Sequence, residues 1–153
     1  MKKLFIATAM VSMLTASAYA FGDDKKSEKK AEASYLLQAQ FDADFENAKH
    51  VEWAVTDSRL QKATFELDGV YTTAFYDMNN VHVATTQHVA ASELPADARK
   101  ELAKAYSGYT IGLVIKYLGD DHAYFVDLAN DKEEFLVKVD PAGGNISFFK
   151  QVK

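Results

Sequence analysis

Four histidines, at positions 50, 82, 88 and 122, and a set of turn aspartates are the side chains with the widest chemical range in this sequence. His82 and His88 share one parity on a single expected strand, and six residues at ~3.3 Å each put them about 20 Å apart. They cannot share a metal ion without ligands from elsewhere, and nothing resembles a HExxH motif. The histidines therefore read as surface residues. Asp120, Asp121 and Asp131 stand at expected hairpin tips beside Gly119 or Asn130. Oxygen-rich loops can bind calcium, yet no EF-hand-like loop with alternating ligands is present. Turn geometry explains these residues more simply.

Nucleophilic chemistry finds no better footing. There is no Gly-x-Ser-x-Gly elbow and no cysteine. Glu133 and Glu134 are adjacent, so on a strand they point to opposite faces and cannot act on one bond together. Gly143-Gly144 precedes a strand, not a helix N-terminus that could cradle phosphate. Asn145-Ile146-Ser147 matches a glycosylation acceptor, a short pattern of little specificity. The sequence predicts a protein that is not an enzyme and carries no cofactor and no metal.

The elements that must position these residues begin after a leader. Met1-Lys2-Lys3 is a positive start, Leu4 to Leu14 an apolar run, and Ala18-Tyr19-Ala20 a small-x-small cleavage site. This is the layout of a secretory signal peptide over residues 1–20, cleaved after Ala20, and the apolar run is short for a membrane span. With no cysteine after the small residues, attachment of lipid there is excluded. The expectation is a periplasmic or secreted protein. Removing Lys2 and Lys3 leaves 15 basic against 22 acidic residues, a net charge of −7. Such a surface argues against nucleic acid or anionic lipid as partner. No later apolar stretch is long enough to enter a membrane, and without disulfides stability must come from core burial.

Residues 21–34, "FGDDKKSEKKAEAS", are charged or small and read as a flexible spacer. Leu37, Phe41, Phe45 and Ala48 then recur at helical spacing. Strand-like runs follow at Val51 to Thr56, Leu60 to Leu67, Val70 to Asp77 and Val81 to Val89, with Asp68-Gly69 and Met78-Asn79-Asn80 as tight turns. Leu94-Pro95 opens a second helix with the stripe Leu94, Ala98, Leu102 and Tyr106, which Gly108 ends. Four more runs follow, at Ile111 to Leu118, His122 to Leu128, Glu133 to Asp140 and Ile146 to Val152.

The halves can be overlaid. Ala63, Phe65 and Leu67 correspond to Tyr124, Val126 and Leu128, and Thr72, Ala74 and Tyr76 to Phe135, Val137 and Val139. The expected fold is α+β, a tandem repeat of one helix plus four antiparallel strands. The helices pack on one face of the sheet, and the repeats span about residues 35–92 and 93–153.

"F41…F45-E-N-A-K-H-V-E-W53", then "A63-T-F65…D-G69…A74-F-Y-D77", then "L94-P95…Y106…I111" resembles the PepSY-like family of exported bacterial proteins. That family is similar in fold to the beta-lactamase inhibitor protein, a tandem repeat of helices and antiparallel sheet. The resemblance covers residues 35–153 and implies an exported location and binding, with no catalytic residues to carry over. Asn79-Asn80 stands where family members commonly have Gly or Asp-Gly.

A sheet covered by helices on one side leaves the other side open. Parity puts Tyr71, Thr73 and Phe75 there in the first half, with Phe125, Asp127, Leu136 and Lys138 in the second. Their mixture of aromatic, aliphatic, hydroxyl and charged groups suits a recognition surface. Equally, the rings can simply pack on each other across strands. The resemblance favours recognition, because the inhibitor protein binds its enzyme through such a face. The leading expectation is an exported non-enzymatic protein that binds or inhibits an envelope or secreted protein through Tyr71, Thr73, Phe75, Phe125 and Leu136. The alternative is a periplasmic carrier of a small ligand or metal.

Overall fold

A computed structural model describes residues 29–153, so the expected leader, its cleavage site and most of the expected spacer lie outside the described residues. In chain order the elements are β1 (Lys29–Lys30), α1 (Tyr35–Asp44), β2 (Lys49–Val55), β3 (Gln61–Leu67), β4 (Val70–Tyr76) and β5 (His82–Val89). A 3-10 turn (Ala91–Glu93) and α2 (Ala96–Ala105) follow. The chain ends with β6 (Thr110–Leu118), β7 (His122–Ala129), β8 (Glu134–Val139) and β9 (Ile146–Gln151).

The strands lie in one sheet in the order of the sequence. This corrects the expected tandem repeat of one helix plus four strands. Apart from the two-residue β1, the chain forms a run of eight antiparallel strands accompanied by two short helices. The decisive pairing flanks α2, where β5 and β6 run antiparallel from Thr85↔Leu118 to Val89↔Val114. Unpaired strand backbone takes the nearest free edge. Here that edge belongs to the next strand, so the helix interrupts a meander and does not begin a new module.

The described residues fall into two compact units: those up to Gly69 with Thr73–Val83, and Val70–Thr72 with Ala84–Lys153. In the first unit the Ser34 hydroxyl caps α1 by accepting the Leu37 N–H at 3.2 Å. Leu37 and Phe41, one helical turn apart, are buried with Ala63, Phe65, Ala74 and Tyr76. The Phe41 ring meets Phe65 edge-on at 4.9 Å and Trp53 at 5.3 Å. Tyr76 donates its hydroxyl to Asp44 Oδ2 at 3.1 Å. Burial, followed by the Asp44 charge, holds that phenol well above its ordinary range. Part of the expected spacer has a structural role, since Lys29 and Lys30 pair with Val55 and Ala54 on β2.

Asp68 and Gly69 both have positive φ, 51° and 81°, the geometry of a two-residue hairpin turn. Asp77 Oδ1 closes the next turn by accepting the N–H groups of Asn79 at 2.8 Å and Val81 at 2.9 Å.

In the second unit Pro95 stands at the N-cap position of α2 with no side-chain capping bond, and Asp97 in the first turn and Lys104 in the last are each matched in sign to the helix dipole. Leu94, Ala98 and Leu102 share a core with Val114, Val126, Leu128, Val137 and Val139. Asn130 Oδ1 accepts from Lys132 and Glu133, and Asp140 Oδ1 from Ala142. These oxygens are engaged in turn closure.

Candidate recognition face

Strand alternation fixes the second face of this unit. Because Val114, Val126 and Val137 point to the α2 core, Ile115, Phe125 and Leu136 point the other way. Register then places His88 opposite Ile115 and Ile115 opposite Phe125, while Asp127 faces Leu136 on β8. Phe125 packs on Phe149 with ring centroids 4.7 Å apart. At the β5 end, the Tyr71 ring lies 4.5 Å from that of His88 with a 37° tilt.

Two polar atoms on this apolar face lack partners. Asp127 Oδ1 and His88 Nε2 are both removed from solvent without a hydrogen bond. Such atoms are uncommon in folded proteins, because each forgoes its interaction with water. Burial pushes the Asp127 carboxyl above its usual range, with the Glu134 charge adding to the shift and a backbone hydrogen bond from Leu113 opposing it. Burial alone lowers the His88 imidazole, favouring its neutral form.

A bulge shapes the Asp127 end. Ile111 pairs with Leu128 and Val114 with Val126, so three steps on β6 match two on β7. The extra residue lies at Gly112-Leu113, beside Asp127. A Cβ at position 112 would sit 2.5 Å from Asp127 Oδ2, so any larger residue there would force that carboxyl to shift.

Of the five residues singled out from the sequence, Thr73, Phe75, Phe125 and Leu136 are buried, none more than 4 % exposed, and Tyr71 is 42 % exposed. Phe125 and Leu136 share the face just described, and Tyr71 reaches it through His88. Thr73 and Phe75 belong to the first unit. Sequence reading missed His88, which it took for a surface residue. The available signal was its parity with Thr86 and Ala84, both buried, on a strand of β-branched and small residues. No group of three or more metal-binding side chains occurs among the described residues.

The fold is that of a BLIP-like protein. A BLIP-like protein from Bacteroides fragilis superposes with a TM-score of 0.69 at 16% identity, covering 80% of this chain and 88% of that one. A DUF2874 family protein from Bacteroides uniformis gives 0.72 at 21% identity over 79% of this chain and 91% of that one. A third, from Bacteroides eggerthii and provisionally described as periplasmic, gives 0.70 at 15% identity over 80% and 89%. No protein-family model matches the sequence, and no curated protein does.

Proposed function

We propose that this is an exported, non-enzymatic binding protein of the PepSY-like kind, acting on an envelope or secreted protein through the part of this face where Tyr71 lies on His88, with Phe125 and Leu136 buried in the same face. The observation that carries this reading is the half-exposed Tyr71 ring lying 4.5 Å from that of His88, on a face where His88 Nε2 and Asp127 Oδ1 are buried without hydrogen-bond partners. A face built only for packing would gain stability from apolar side chains at both positions. Their retention sets this face apart from one built for packing alone. The half-exposed Tyr71 ring, stacked on His88, is the first side chain a partner would meet.

The other support is indirect. The provisional periplasmic description of the B. eggerthii protein and the BLIP-like fold agree with export and binding. No helix among the described residues is long and apolar enough to cross a membrane.

Paired capture from an envelope extract tests the proposal. Proteins retained by the wild type should be lost with Tyr71→Ala and kept with Leu36→Ala, a change at an exposed site in the first unit. An identical captured set for all three proteins would rule this face out.

A further inference from the structure

A separate feature of the second unit lies along one flank of α2. A groove of about 500 Å³ runs between this helix, the 3-10 turn and the start of β6. Its volume falls within the range of small-molecule sites. Arg99, Leu102, Ala103 and Tyr106 line one wall, and their spacing of three, four and seven residues places them along one stripe of the helix. Ile111, 40 % exposed, and the Tyr109 ring line the other side.

The groove is apolar apart from hydroxyls at its rim and one fixed charge. That charge is a guanidinium in a protein with an excess of acidic residues. On the helix, the residues three and four places from Arg99 are Pro95, Ala96, Leu102 and Ala103, none of them acidic. The ion pair on α2 joins Lys100 to Asp97 at 3.7 Å and leaves Arg99 without a carboxylate partner among the described residues. Tyr109 cannot serve as a polar rival for a ligand's head group, because its hydroxyl donates to Glu133. Its ring instead packs edge-on against Phe135 at 5.3 Å, which holds the wall in place.

We infer that this groove binds a free medium-chain carboxylic acid. Its carboxylate would take two parallel N–H bonds from Arg99, a geometry that guanidinium matches and ammonium does not. Its alkyl chain would lie along Ala103, Tyr106 and Ile111. This site is independent of the sheet face, so either reading can fail alone.

Decanoate and decanol, titrated into the full protein and followed by amide NMR, test the inference. With decanoate up to about 1 mM, the expected result is saturable shifts at Arg99, Ala103, Tyr106 and Ile111. Decanol, or decanoate with Arg99→Gln, should bind about tenfold more weakly, the loss of one charge-assisted contact. Ala103→Trp should fill the groove and abolish the shifts. Both substitutions are at exposed positions, and unchanged spectra elsewhere would show that the fold is intact. Equal binding of acid and alcohol, shifts confined to Tyr71 and Phe125, or no saturable shift with decanoate would each overturn the assignment.

Discussion

Gly112 and Asp127 are locked together by a strand bulge, so that a Cβ on the glycine would lie 2.5 Å from the carboxylate Oδ2. The bulge brings β6 backbone to Asp127, whose Oδ1 is buried without a hydrogen-bond partner. Steric and electrostatic demands of the helix-free face meet at that contact.

Gly112→Ala should therefore destabilise the protein by about 1–3 kcal/mol, the usual cost of forcing extra volume into a packed site. The same change in an Asp127→Ser background should cost less, because the shorter side chain leaves room. Chemical denaturation of the four proteins forms a double-mutant cycle. Equal costs in both backgrounds would mean that the contact is not the source of the effect.

Asp127 also gives a pH signature. Its folded carboxyl is raised above the ordinary value of 3.8, so the folded state holds the proton more tightly than the unfolded chain. Stability is thus highest below that value and falls as pH rises from 3.8 toward the folded pKa, after which it stays lower. Asp127→Asn should gain stability over the wild type at neutral pH, and the gain should shrink as pH falls toward 3.8. Urea midpoints across this range measure it. A gain that does not change with pH would assign the effect to packing alone.

His88 titrates with the opposite consequence. Its folded pKa is lowered from 6.5, so the unfolded chain binds the proton first. Stability is full above 6.5 and is lost as pH falls from there toward the folded value. His88→Phe keeps a ring against Tyr71 and removes the ionisation. The variant should lose less stability than the wild type between about pH 7.5 and 5.5. Parallel slopes for the two proteins would show that His88 does not feel its burial.

Much of the packing was legible because β-strands alternate with a period of two. Phe65, Ala74, Tyr76, Val126 and Val137 fall on the core side where alternation places them. The hairpin turns were legible through Asp68-Gly69 and Asn130, whose backbone and side-chain preferences act locally. What alternation cannot show is which strand lies beside which. Two similar strings of helix, turns and strands read alike whether the sheet breaks after β5 or continues into β6, and pairing from Thr85 to Val89 decided for continuation. The bulge at Gly112 is marked only by a lone glycine, and the groove beside Arg99 depends on how a 3-10 turn approaches a helix. Neither leaves a periodic signal.

The α1 stripe offers a comparison between adjacent residues. Leu37 is fully buried beside Phe41, whereas Leu36 is 70 % exposed. Both are leucines in the first turn of one helix, so intrinsic helix propensity cancels between them. Leu37→Ala removes a packed side chain and leaves a cavity, and should cost about 2–5 kcal/mol. Leu36→Ala loses little burial and should stay within about 0.5 kcal/mol of the wild type. Thermal and urea unfolding of the two variants would compare them directly. A similar loss for both would mean that Leu36 is covered in solution, and that the outer face of α1 has a packing partner of its own.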